Sequence, residues 1–276
     1  MFFAILAGPL WAGDLEDARQ LYQRTAYEAA LRALAGESSH DARVLLLSGQ
    51  IHYQLGNYKE ASDQLEKASH LEPRRAEIFL WLGRSLGRRA ETSHFFTAPG
   101  YAARCREALE RAVALDGHDV GAMSDLAMYY LEAPGFLGGG LDKAEKLAAR
   151  IAALDTAEGE SMAARMAEKR QDFSAAEAHL QRAAEMAPRQ IEPLIALAQF
   201  LARRGEVQQS EQALAHAAQI TPASPKLLFA RAELYIRQER NLEAAHALLR
   251  RYLQMPLTPE DPPRREAERL LAKTRG

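Results

Sequence analysis

The sequence predicts an all-α chain built as a row of six helix–turn–helix units, and three observations predict it. First, prolines at 188, 222 and 256 recur in two steps of 34, each closing a helical run: LQRAAEMAP, LAHAAQITP and LLRRYLQMP. Second, small residues recur in two registers, Gly49, Gly83, Ala127, Ala164, Ala198 and Ala232 in first helices and Ala61, Cys105, Ala144, Ala176, Ser210 and Ala244 in second helices. Third, large apolar residues sit beside those small ones: Leu45, Phe79, Leu194 and Leu228 early in first helices, Leu65, Leu109, Leu180 and Leu214 in second helices. Small residues at crossings let helix axes approach while large ones fill the space between, and a period in this range marks a stacked array.

Composition sets the class. Of 276 residues, 47% are apolar and 26% charged, which suits a chain able to bury a core. Lys plus Arg number 35 against 37 for Asp plus Glu, so no nucleic-acid partner is expected. No apolar run reaches the roughly 18 residues of a membrane-spanning helix. Cys105 is the single cysteine, so no intrachain disulfide forms; it occupies a slot that is elsewhere Ala or Ser, which predicts a small buried hydrophobe.

Residues 1–12 read as a signal-like segment. In MFFAILAGPLWAG an apolar run ends at Gly8-Pro9, and Ala12 offers a cleavage site, although no basic residue precedes Arg19. The expectation is export, to the periplasm, with a cytoplasmic chain as the alternative.

The stretch LLLSGQIHYQLGNYKEASDQLEKASHLEP resembles a tetratricopeptide repeat (TPR) of bacterial type. The resemblance is carried by Gly49, Gly56, Tyr58, Ala61, Leu65, Ala68 and Pro73, with Tyr53 nearby; His52 stands where an aromatic is usual. It covers residues 42–256, with departures at Gly117 and Thr156 in place of the closing proline and at Arg251 in place of a small residue. It implies a right-handed α-solenoid of about six TPR-like units. Residues 13–41 are expected to be an N-terminal half-repeat, its turn and second helix lying around Gly13, Leu15 and Ala18. Residues 257–276 are expected to be a linker, with the Pro-rich TPEDPP, and a polar capping helix.

Spacings within the units are 12, 22, 17, 12, 12 and 12 residues, so the second and third units are enlarged. The enlargements are assigned to turns near 87–100 and 131–140, both containing Ala-Pro-Gly. The second includes the four-glycine stretch APGFLGGGLDK. A phosphate-binding loop needs Gly-Lys-Ser/Thr after a strand, whereas Gly140 here precedes Leu141-Asp142, and Asp142 would repel an anion. The glycines are therefore expected to build a structural turn.

Neither the eight histidines nor the cysteine shows metal-ligand spacing, and no catalytic motif is present. No catalytic residue, cofactor or metal is expected. The resemblance implies a non-catalytic scaffold whose first helices line a concave face that holds a protein or peptide partner. Candidate partner-binding residues on that face are Gln50, Tyr53, Arg84, Arg88, Met128, Arg165, Gln199, Phe229 and Glu233. In the enlarged turns they are Phe95, Phe96, Tyr101 and Phe136, which either meet a partner or pack on one another. The alternatives are an accessory subunit of a cell-envelope enzyme or assembly, and a small-ligand binder at the loop pocket. Homo-oligomerisation is left open.

Overall fold

The structure, a computed structural model, describes residues 11–37 and 40–274. Within them regular structure is entirely helical and built of stacked helix pairs, the all-α architecture expected of TPR-like units. The chain divides into two compact units, one reaching Leu115 and including Leu257–Glu260, the other spanning Asp116–Pro256 and continuing from Asp261.

The first unit stacks three helix pairs: α1 (Trp11–Gln23) with α2 (Tyr27–Leu34), α3 (Ala42–Leu55) with α4 (Tyr58–Leu71), and α5 (Ala76–Thr92) with α6 (Ala98–Leu115). The second unit stacks four: α7 (Val120–Glu132) with α8 (Leu141–Leu154), α9 (Thr156–Lys169) with α10 (Phe173–Met186), α11 (Glu192–Arg203) with α12 (Val207–Ile220), and α13 (Pro225–Arg237) with α14 (Leu242–Leu253). A last helix, α15 (Arg264–Lys273), covers α13 and α14 with Ala267 and Leu270 buried.

Among the described residues, five helix starts carry side-chain caps. Asp41, Asp119, Asp155 and Asp172 each accept a backbone N–H from the first turn of α3, α7, α9 and α10, at 2.8–3.0 Å. Ser224 does the same for α13, followed by Pro225, whose missing N–H costs nothing at that position. Gly56 and Gly205 close α3 and α11 with φ of 78° and 81°, a conformation open to glycine.

The small-residue slots are where the helices meet. A Cβ on Gly49 would stand 2.5 Å from Leu65 Cγ, and one on Gly83 2.7 Å from Leu109 Cγ. Ala127, Ala164, Ala198 and Ala232 are fully buried, as are Ala61, Ala144 and Ala176. Cys105 is a buried cysteine in this row, and the buried Ser210 hydroxyl donates to Ala198 O at 2.8 Å.

Three features differ from the sequence reading. The N-terminal segment is a complete helix pair, with Gly13 inside α1 and the turn at Arg24–Ala26. The cause is spacing: Leu15, Ala18 and Tyr22 fall on one helical face and bury against Tyr27, Ala30 and Leu34. The signal-like reading falls mostly on residues 1–10, outside the described residues; the cut expected after Ala12 lies within α1.

In the last unit the second-helix slot is taken by Ala245, fully buried, while Ala244 is exposed. The turn Gln238–Asn241 is one residue longer than the turns of the two preceding pairs, Arg170–Asp172 and Arg204–Glu206, with Glu239 and Asn241 both at φ 49°. The slip turns Arg251 outward and puts Tyr252 in the core, its ring 5.5 Å from that of Phe229 and its hydroxyl donating to Pro262 O.

The extra residues of the second unit of the array lengthen its helices instead of building a long loop. Helices α5 and α6 run to 17 and 18 residues, and only Ser93–Thr97 joins them. Ala98-Pro99-Gly100 is the first turn of α6, where proline displaces no intrahelical hydrogen bond.

Candidate partner-binding site

The glycine-rich turn holds itself. Gly138, with φ 87°, donates its N–H to Gly135 O at 2.9 Å, Gly139 donates to Pro134 O at 3.2 Å, and Gly140 to Tyr130 O at 2.8 Å. Lys143 Nζ donates to Gly138 O at 2.8 Å and lies 5.2 Å from the Tyr130 ring. Tyr129 donates its hydroxyl to Leu137 O at 2.9 Å. Amides that would cradle an anion are spent inside the turn, so the stretch is structural.

In the first unit, the faces of α3 and α5 form one strip. Tyr53 packs edge-on to Trp81 at 5.4 Å and to Tyr58 at 5.5 Å. Arg84 lies over the Trp81 ring at 5.0 Å, and Arg88 over Tyr58 at 5.3 Å while donating to its hydroxyl at 3.2 Å. Gln50 Nε2 donates to Glu77 at 3.2 Å, linking the two helices. Four of the predicted residues, Gln50, Tyr53, Arg84 and Arg88, thus share a surface, held by cation–π and edge contacts.

Beside this strip is a cleft of about 350 Å³ whose lining includes Arg19, Tyr22, Arg43, Gln50, Arg75 and Trp81 together with Glu260. Gln54, 7% exposed, donates Nε2 to Pro259 O at 3.0 Å. Burial pushes the Tyr22 hydroxyl up to about 12; a hydrogen bond from Gln54 opposes the rise and the charge of Glu260 adds to it. Sequence reasoning missed Tyr22, Gln54 and Pro259. The one available signal was TPEDPP, a stiff acidic segment placed directly after the last repeat.

In the second unit the first helices are tied by polar pairs one repeat apart: Ser124 to Glu158 at 2.8 Å, Arg203 to Glu168 at 2.7 Å and Lys226 to Glu192 at 2.7 Å. Gln199 and Glu233 line a small cleft together with Arg203 and Arg237, and Glu233 accepts from Arg237 at 2.8 Å. Met128 is half-buried on α7 and Arg165 exposed on α9. Phe229 departs from the expectation. It is 8% exposed and packed on Tyr252, because the one-residue slip of α14 leaves a large ring to be filled around.

The aromatics of the enlarged turns divide. Phe95 and Phe96 are 75% and 80% exposed, their rings 4.8 Å apart, with His94 stacked on Phe96. Phe136 is 83% exposed. Tyr101, in contrast, is held by Arg89, which donates to its hydroxyl at 2.6 Å and covers its ring at 4.1 Å. Among the described residues no group of three His, Cys, Asp or Glu side chains could hold a metal ion.

A family model described as TPR repeat matches residues 49–88, the stretch that contains the strip on α3 and α5. No curated protein matches the chain. Among solved structures, a thermophilic TPR protein of Thermus thermophilus is 21% identical, with 69% of this chain and 98% of that one covered and a TM-score of 0.56. A tetratricopeptide repeat protein of Parabacteroides merdae is 13% identical, covering 98% of this chain and 100% of that one at a TM-score of 0.59. PilW, a type IV pilus biogenesis factor, is 16% identical, covering 79% and 96% at 0.56. These identities speak to fold: with the repeat match over residues 49–88 and the stacked helix pairs, they show that the chain has the fold of tetratricopeptide-repeat proteins.

Proposed function

We propose that this chain is a non-catalytic scaffold that holds a protein or peptide partner on the faces of its first helices, with Phe95, Phe96 and Phe136 adding contacts. The observation that carries the reading is the strip on α3 and α5. It presents Tyr53, Trp81, Arg84 and Arg88 together, and Trp, Tyr and Arg are the residue types that dominate binding energy at protein interfaces. Rigid stacked pairs fix these groups beforehand, so little ordering entropy is lost on binding. The signal-like sequence of residues 1–12 further supports export to the periplasm, which the N-terminal residue of the chain isolated from its cells would test.

The functional test is a crosslinking pull-down of the tagged chain from its native cells beside a Phe95→Ala/Phe96→Ala/Phe136→Ala variant with unchanged helical circular dichroism. The reading expects one protein partner with the wild-type chain. Loss of that partner in the variant assigns the turns to docking, and retention assigns recognition to the first-helix faces. Recovery of no specific partner overturns the scaffold reading.

A further inference from the structure

A piece of this chain already lies at the edge of the cleft beside the strip. Leu257–Glu260 belongs with the first unit although it follows α14 in sequence. Its backbone offers Pro259 O to the buried Gln54 amide at 3.0 Å, and Glu260 lines the cleft with Arg19, Arg43 and Arg75. Around it the sequence reads PLTPEDPP, with prolines at 256, 259, 262 and 263 and carboxylates at Glu260 and Asp261. Prolines favour an extended chain whose carbonyls stay free to accept, the form in which such segments are recognised.

Two observations distinguish a seated ligand from a core element. Thr258 and Glu260 are exposed and Pro259 is only half-buried, so Leu257 is the one fully buried side chain among the four. The polar fit is also partial. Arg19, Arg43 and Arg75 share their charge with Glu16, Asp41, Glu72 and Glu77.

We propose that the seat of Leu257–Glu260, on Gln54 at the edge of this cleft, is a binding site for an extended, proline-containing acidic peptide, and that the segment is its resting occupant, which a partner peptide displaces. This deepens the scaffold reading and rests on it, since it names the chemistry of the partner and the means by which the site is kept closed. Gln54 supplies backbone recognition, the arginines select carboxylates, and the tethered segment sets a threshold. Because the chain holds the segment on both sides, it is presented at a high effective concentration, so a free peptide of similar intrinsic affinity competes poorly.

The test is fluorescence anisotropy with a labelled peptide of residues 256–263. It is titrated into the full chain, a Glu260→Lys variant, and a Gln54→Ala/Glu260→Lys variant. Glu260 is exposed, so its substitution leaves the fold intact, which melting of each variant checks. The expected result is at least about tenfold tighter binding to Glu260→Lys than to the wild-type chain, with the gain abolished by Gln54→Ala. A peptide carrying Lys in place of the glutamate should bind none of them. Equal affinity for wild type and Glu260→Lys, binding to neither, or a gain that survives Gln54→Ala overturns the proposal. A partner recovered by pull-down in yields that ignore both substitutions would sink this inference and leave the scaffold reading standing; peptide binding without any recovered partner would do the reverse.

Discussion

Gly49 and Leu65 meet with no room between them: a Cβ on the glycine would stand 2.5 Å from Leu65 Cγ and 2.9 Å from Cδ2. The crossing of α3 over α4 depends on that absence. Gly49→Ala gains about 1 kcal/mol of helix propensity but must push Leu65, and overpacking costs about 1–3 kcal/mol. The expected outcome is a lower urea midpoint, by about 1 kcal/mol in net stability. At Gly87 the nearest atom is Cys105 Sγ at 3.4 Å, so Gly87→Ala should be neutral or stabilising. Urea unfolding followed by circular dichroism measures both.

The one-residue slip of α14 makes an opposed pair of predictions. Ala245 is fully buried and Ala244 exposed. Ala245→Leu should destabilise the last unit by about 2 kcal/mol or more, because the slot has no space for three further carbons. Ala244→Leu should shift stability by about 0.5 kcal/mol or less. If the unshifted register held, the two results would exchange places, and thermal melting of the two variants decides it.

His52 stands in a half-buried site where the repeat resemblance expects an aromatic. Burial pushes its imidazole below the ordinary value of 6.5, against a weaker opposite pull from Glu60. The folded chain therefore favours neutral His52, while the unfolded chain takes up a proton at higher pH. Stability from this group is present above about pH 6.5 and is lost as pH falls through that value toward the lowered one. His52→Phe should remove this component, so its melting temperature should fall less between pH 7 and pH 5 than that of the wild-type chain.

The glycine-rich turn separates two glycines by what surrounds them. A Cβ on Gly139 would lie 1.8 Å from Ala133 O, a backbone atom that cannot rotate away, whereas one on Gly135 would meet nothing within 4 Å. Gly139→Ala should break the Gly140-to-Tyr130 hydrogen bond and cost about 2 kcal/mol or more; Gly135→Ala should be near neutral. Amide hydrogen exchange at Gly140 reads the difference directly.

Most of the fold was legible because close packing leaves its mark on composition. Gly49, Gly83 and the buried alanines are small where helices cross, and Leu65 and Leu109 are the large residues that fill against the two glycines. What was not legible came from turn length and tertiary contacts. A single added residue before α14 moves Ala245 and Tyr252 into slots that spacing had assigned to Ala244 and Arg251. The run near 87–100 reads as a loop because of its Pro and Gly, yet both are tolerated in the opening turn of α6.

The candidate site was legible in the same uneven way. Gln50, Tyr53, Arg84 and Arg88 follow from repeat position alone. The burial of Phe229 does not follow from repeat position, because its neighbour Tyr252 depends on the slip, and the seating of Pro259 on Gln54 joins residues 205 positions apart, which no periodicity reports.

The central claim is that a partner lies on the first-helix face, and photo-crosslinking from defined positions tests it most directly. A photoreactive amino acid placed at Arg84, on the strip of α5, is compared with one at Glu107, on α6, whose side chain is 66% exposed. The account predicts a partner adduct in native cells from position 84 and none from position 107. An adduct from 107 alone, or equal adducts from both, would contradict it.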